Sequence, residues 1–331
     1  MVAELLQELL SPEAGKDLER LARLARDETR RWFGNSVSLY TPLYLANYCD
    51  NHCTYCGFSC NNDILRGKLS VAEIEAEFKA IAATGLEEIL LLTGESREKS
   101  PPEYICEAVK LARSYFRTIG LEVYPLEVSE YADLHKAGAD FVSVYQETYN
   151  RELYAKCHPD NTPKSDFDYR LGSQERALQA GMRGVSFGVL LGLNPDWRKD
   201  SLEAGLHAAR IQRKFPHCEI SFSVPRLRGS VATELTEREL LQIMAAYRIA
   251  FPYAGINIST RERAHFRDNV IGIAANKISA GVRVTVGGHS GGQSKGDGQF
   301  ALSDERSVEQ IKSAILSKGL QCVYTDYVLC S

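Results

Sequence analysis

The sequence predicts an α/β protein built on a (β/α)8 barrel, and three observations predict it. Short apolar runs alternate with amphipathic helical stretches along nearly the whole chain, eight such runs fall between residues 37 and 286, and no glycine-rich dinucleotide loop follows the first of them. Parallel strands need crossover helices, and eight strand–helix units close on themselves. An open doubly wound sheet is the alternative, and it would carry phosphate-binding glycines after strand one. On this reading residues 1–36 are an N-terminal helical extension, 37–286 the barrel, and 287–331 a C-terminal extension of Gly-rich loop, helix and strand.

The elements follow in order. Ser11 caps and Pro12 opens a helix over 11–33, in which Leu18, Leu21, Leu24 and Ala25 make an apolar stripe that fits a lid packed on the barrel. Gly34 and Asn35 end it. Strand one, 37–45, is rich in Val, Leu and Tyr. Ser70-Val-Ala-Glu73 is a capping box for a helix over 70–83, before a short strand at 88–92. Helices are then expected at 102–116, 129–136, 173–180, 202–214, 237–249 and 262–275, and strands at 121–128, 140–145, 184–191, 219–224, 255–259 and 278–286. A flexible Gly-rich loop at 287–298, a helix at 304–317 and a strand at 321–324 complete the chain.

Composition bounds the function. A chain of 331 residues, 44% apolar and 25% charged, can bury a large core. A formal charge of −4 gives no broad footprint for nucleic acid or an anionic membrane, which favours a small-molecule substrate. Nine cysteines, three of them packed together and the rest scattered, do not form a disulfide framework, so a reducing compartment is expected. The first ten residues carry two acids and no basic run, and no stretch has the length of a membrane span, so the expected location is the cytoplasm.

The chemistry is concentrated after strand one. Cys49, Cys53 and Cys56 stand in a C-x3-C-x2-C pattern, with Tyr55 before and Gly57-Phe58 after the last of them. Soft thiolates select zinc or iron–sulfur centres, and closed structural zinc sites use four ligands where this stretch supplies three. A cluster held by three cysteines leaves one iron open for chemistry. Cys60 or His52 completing a zinc knot, or cysteines acting as small buried hydrophobes, are the alternatives.

Barrel enzymes keep their sites at the C-terminal ends of strands. There Thr93-Gly94-Glu95 offers a carboxylate beside a glycine that permits close approach, with an ordinary turn as the alternative. Strand four ends in Tyr145-Gln-Glu147, and Arg170 in the charged stretch that begins at Lys164 is the best anion clamp nearby. Arg226 and Arg228 follow strand six and Arg261 follows strand seven. Each is singly a candidate surface ion pair, but together they point to an anionic, carboxylate-bearing substrate.

The cysteine spacing resembles the signature of the radical S-adenosylmethionine (SAM) enzymes. The ordered set Phe33-Gly-Asn, Pro42-Leu-Tyr-Leu, Cys53-Thr-Tyr-Cys-Gly-Phe, Leu92-Thr-Gly-Glu, Tyr145-Gln-Glu-Thr-Tyr, Asp196-Trp-Arg, Pro225-Arg-Leu-Arg, Ser259-Thr-Arg-Glu, Phe266-Arg-Asp and Ser279-Ala-Gly is similar to the tyrosine lyases of thiamine thiazole synthesis, the 2-iminoacetate synthase family. The resemblance implies a [4Fe-4S] cluster on Cys49, Cys53 and Cys56, with SAM on its open iron. It implies that Thr93, Gly94 and Glu95 receive the methionyl amine, although a Gly-Gly-Glu is usual there. Arg170 would pair the SAM carboxylate, Glu147 would reach the ribose or amine, and the Tyr55 backbone would contact adenine. L-Tyrosine would be cleaved between Cα and Cβ, with its carboxylate on Arg261, Ser279 beside it, and Arg226 and Arg228 steering the phenol. A thiazole synthase partner and a flavodoxin- or ferredoxin-type electron donor are further implied. A tryptophan lyase shares much of the pattern. The tyrosine lyase of [FeFe]-hydrogenase maturation adds a second cluster for which Cys322 and Cys330 are too sparse, and a non-catalytic zinc or iron–sulfur module is the non-enzyme alternative. His289, where some relatives carry Tyr after Gly-Gly, is a candidate pocket residue.

Overall fold

The computed structural model describes residues 2–159, 162–227 and 234–324. Its strands are β1 (Ser36–Ala46), β2 (Glu88–Thr93), β3 (Thr118–Glu122), β4 (Phe141–Ser143), β5 (Gly184–Gly188), β6 (Glu219–Ser223), β7 (Gly255–Ile258), β8 (Lys277–Ser279) and β9 (Gln321–Val323). The first eight pair in parallel in sequence order, and β1 pairs with both β8 and β2, which closes the predicted barrel. β9 joins in parallel at Ser36 to Ser38, on the edge of β1 that β2 takes from Thr41 onward.

Strand alternation separates two environments. On β1, Leu39, Leu43 and Leu45 point outward into a continuous apolar shell under the helices, and Ile119 and Leu121 do the same on β3. The inward set is different in kind. Tyr40, Tyr44, Leu90 and Leu92 face the axis together with Glu122, Tyr145, Ser223, Asn257 and Ser279. Barrels of this class usually fill the axis with branched aliphatic layers. Here polar groups and phenols leave cavities at both ends, about 140 Å³ at the C-terminal mouth and about 660 Å³ at the N-terminal one, where Lys277 pairs with Glu88.

Several elements differ from expectation. The N-terminal segment is three helices, Val2–Leu9, Pro12–Lys16 and Leu18–Phe33, because Asp17 (φ −105°, ψ 56°) breaks the chain and caps the third through the Arg20 N–H. The third helix lies on the barrel's flank along helix Glu237–Ala250, where the Thr29 hydroxyl donates to the Ile273 carbonyl at 2.8 Å. It is therefore no lid over the mouth. β3 begins three residues before the expected 121, and the more apolar run that follows it leaves the sheet to bury Leu126 in the shell. β8 ends at Ser279 because Gly281 (φ 62°) turns the chain away, so Val282, Val284 and Val286 continue as loop. The helix expected at 262–275 is reduced to Ala264–Val270, with Gly272 (φ 76°) just beyond it. Helix Arg151–Cys157, the 3-10 turn Pro163–Ser165 and helix Phe167–Leu171 are elements beyond those the sequence predicts.

Arg248 is the main polar tie inside the shell. It is fully buried and donates to the carbonyls of Pro252, Ala254 and Ala274 and to Asn276 Oδ1, at 2.7–3.2 Å. Arg248→Met keeps the bulk and strands these acceptors, so urea unfolding should show a loss of about 3 kcal/mol or more. A loss below about 1 kcal/mol would show that the carbonyls find other partners.

Candidate active site

Beyond β1 the chain crosses the C-terminal mouth as a loop carrying the three cysteines, and bonds to neighbouring elements hold it there. The Asp50 N–H donates to the Glu95 carbonyl at 3.0 Å and the Thr54 N–H to the Cys157 carbonyl at 3.2 Å. Asn51 is buried; its Nδ2 donates to Glu95 Oε2 at 2.9 Å and its Oδ1 accepts the Lys164 N–H at 2.8 Å. Arg66 closes the far side on the carbonyls of Asn47, Phe58 and Ser59. His158 Nδ1 lies 2.8 Å from the Tyr154 carbonyl and so carries the proton, which makes Nε2 the acceptor for the Tyr55 hydroxyl at 2.7 Å. Gly94 is required beneath this loop, since a Cβ there would stand 2.2 Å from the Tyr48 carbonyl oxygen.

Cys49, Cys53 and Cys56 line one cavity of about 80 Å³ together with Thr93, Gly94 and Glu95. Burial pushes Cys49 up to about 11 and Cys53 up to about 12. Cys60 is exposed and lies 3.0 Å from His52 Nδ1, outside that cavity.

Four buried charges form the opposite wall. Arg170 Nη1 meets Glu95 Oε1 at 2.9 Å and Lys164 Nζ meets Glu147 Oε1 at 2.7 Å, with cross contacts of 3.9 Å (Lys164–Glu95) and 3.5 Å (Arg170–Glu147). Burial opposes the charge on Glu147, yet Lys164 and then Arg170 outweigh it and hold the carboxyl at about 2. Glu95 is lowered against burial by Arg170 and then Lys164. Glu147 sits in the left-handed region (φ 70°), its carbonyl fixed by the Leu190 N–H at 2.8 Å. The structure thus brings Thr93, Gly94, Glu95, Glu147 and Arg170 together as the sequence predicts. It adds Lys164 and Asn51, and it engages Arg170 with Glu95 and the Tyr145 carbonyl.

The 140 Å³ cavity adjoins this one, and the two share Tyr44, Cys56, Glu122 and Glu147 among their walls. Tyr55, Arg261 and Ser279 line it as expected, and Arg261 stacks 3.7 Å over the Phe300 ring. The Ser279 hydroxyl and carbonyl both accept from Arg267. Arg226 does not face the cavity: it is buried in an ion pair with Glu262 and donates to the Leu235 carbonyl. Arg228 lies outside the described residues. His289 is no pocket residue of this mouth; its N–H donates to Glu77 Oε2 at 2.7 Å on the outer side of the barrel. The Gly-rich loop folds back over the cysteines, with Gln299 accepting the Tyr44 hydroxyl at 2.9 Å and placing Nε2 3.6 Å from Cys56 Sγ.

A parallel barrel that hands three thiols to its C-terminal mouth, beside a carboxylate at the end of its second strand, defines a radical SAM enzyme. Residues 43–205 match the family model described as Radical SAM superfamily, and 223–321 that of the Biotin and Thiamin Synthesis associated domain. The sequence is 40% identical over 324 residues to the 2-iminoacetate synthase of Escherichia coli (strain K12), covering 96% of this chain and 85% of that one. The chain belongs to the 2-iminoacetate synthase family. Among solved structures, HydG, a maturase of the [FeFe]-hydrogenase, matches with a TM-score of 0.88 at 29% identity, covering 98% of this chain and 76% of that one. HydG from Carboxydothermus hydrogenoformans gives 0.86 at 32%, covering 98% and 80%. Enzymes of this superfamily use a [4Fe-4S] cluster and SAM, and the site fits both. The three thiols line one cavity with Glu95, Thr93 Oγ1 there is buried with no hydrogen-bond partner among the described residues, and the facing acids and bases suit an amino-acid moiety.

The charge pairs predict an acid response. A carboxylate with a lowered folded pKa contributes stability in full above its unfolded value of about 4.3 and loses it as the pH falls through the folded value. Glu147→Gln should therefore flatten the fall of the thermal midpoint between about pH 5 and pH 2. At neutral pH it should cost about 3 kcal/mol, because Lys164 loses its nearest anion. Parallel melting curves across that range would refute this if the two proteins differ by a constant amount.

Proposed function

We propose that the chain cleaves the Cα–Cβ bond of L-tyrosine to 2-iminoacetate (dehydroglycine) and p-cresol, with 5′-deoxyadenosine and methionine formed from SAM, in service of the thiazole moiety of thiamine. The observation that carries this reading is the pair of adjoining cavities, one framed by thiols and the charge box, the other by Arg261 and phenol side chains, with shared walls. A group in one abuts a group in the other.

Cys49, Cys53 and Cys56 would hold the cluster, leaving an iron open to SAM. Thr93, Gly94 and Glu95 would receive the methionyl amine, Arg170 the carboxylate, Glu147 the ribose or the amine, and the Tyr55 backbone the adenine. Together the bound groups supply a radical that removes hydrogen. The chain's own residues bind and orient: Arg261, backed by Phe300, offers a planar fork to the substrate carboxylate, with Ser279 one strand over. Tyr40, Tyr44 and Tyr145 give the substrate ring flat walls. A thiazole synthase would take the imine product and a flavodoxin- or ferredoxin-type protein would supply electrons, in the cytoplasm. No helix among the described residues is long and apolar enough to cross a membrane.

Two measurements test the assignment. After anaerobic reconstitution, Cys56→Ala should lose bound iron and Cys60→Ala should keep it; the reverse pattern would overturn the cluster assignment. Arg261→Ala should keep its iron and still form 5′-deoxyadenosine while making little p-cresol. A wild-type ratio of the two products would place the substrate carboxylate elsewhere.

A further inference from the structure

The axis carries one acid that the charge box does not balance. Glu95 and Glu147 are matched by Lys164 and Arg170, two anions against two cations. Glu122, the last residue of β3, stands next to Leu92 of β2, points inward and lines both cavities. It makes no hydrogen bond or ion pair with any described residue. Burial and then the like charge of Glu147 push its carboxyl up to about 7, and the strongest opposing influence is Arg261, ahead of Arg170 and Lys164.

Glu122 is half-buried, and a carboxylate drawn out of water without a partner is costly unless a cation arrives to meet it. β3 and β7 lie diametrically opposite in a barrel of eight strands, so Glu122 and Arg261, just past β7, approach the same cavity from opposite walls. That places Glu122 and Arg261 on opposite sides of a space in which the other two charged groups, Lys164 and Glu147, are already paired with each other, and whose remaining walls include phenols, aliphatic side chains, serines and asparagine. The complement of such a space is a free amino acid, with its carboxylate toward Arg261 and its ammonium toward Glu122. We propose that Glu122 receives the substrate's amino group, making it the residue that fixes the nitrogen and selects for an unblocked α-amine. This rests on the tyrosine-lyase reading and deepens it. With both ends of the zwitterion held across the barrel, the amine cannot rotate away from the cavity that adjoins the thiols, and an N-acylated or peptide-bound tyrosine has no cation to offer Glu122.

The test uses reconstituted protein with SAM and no reductant, so that binding is read without turnover. Equilibrium dialysis compares L-tyrosine with 3-(4-hydroxyphenyl)propionate, which lacks only the amine. In Glu122→Gln, tyrosine affinity should fall about tenfold or more, the propionate should bind as well as before or better, and iron content and SAM affinity should hold. Glu122→Asp, which keeps the charge on a shorter arm, should fall between the two and serves if the Gln variant does not fold. An equal loss for both ligands, an unchanged tyrosine affinity, or a loss confined to SAM would overturn the assignment. If the unsubstituted protein binds neither aromatic acid, it is the tyrosine reading that fails, and the Glu122 proposal falls with it.

Discussion

Four buried charges that cannot be removed one at a time organise the mouth of the barrel. Glu95 follows β2, Glu147 follows β4, and Lys164 and Arg170 come from the insertion before helix Ser173–Gln179. Buried pairs of this kind roughly break even against apolar packing, while loss of one member strands a charge. Their effect is geometric. They dock the insertion onto two strand ends, and through Asn51 they fix the height and tilt of the cysteine loop. The left-handed backbone at Glu147 fits this picture, because that conformation persists only where the surroundings over-determine it.

The C-terminal segment belongs to the same construction. A side chain at Gly57 would put its Cβ 2.2 Å from the Gln299 carbonyl oxygen, so the returning loop lies directly on the cysteine loop. Gln299 then links a phenol on β1 to a thiol at the mouth. Glu77 anchors the start of the loop through the His289 and Ser290 N–H groups. Two segments far apart in sequence thereby close over one site.

What the sequence reveals is local in origin. The cysteine spacing, the carboxylate at Glu95 and each strand–helix unit of the eightfold alternation are legible within a short window of sequence, and the structure has the thiols and Glu95 on one cavity and the eight strands in one closed barrel. The failures are of two physical kinds. Apolar runs overstate strands where a glycine with positive φ turns the chain out, as Gly281 does after β8, or where the run packs into the shell, as Leu126 does. Single polar residues are misread when their role depends on partners distant in the chain. Lys164 stands in a charged stretch whose clamp the sequence assigns to Arg170 alone, and Glu122 carries no local signal that sets it apart. Arg226 erred the other way, a strand-end arginine consumed by Glu262. Only the closed barrel shows which polar face is inside.

The separation of the outward shell from the inward axis has an evolutionary consequence. The apolar side chains that drive folding lie between strands and helices, whereas Tyr40, Glu122, Tyr145, Ser223 and Asn257 hang into a space that the shell does not need filled. Substitutions on the axis therefore carry little of the packing penalty that constrains a conventional barrel core. Descendants of such a scaffold can trade one small amino-acid-like reactant for another by altering a handful of inward side chains, while the thiols and the charge box above them stay as they are.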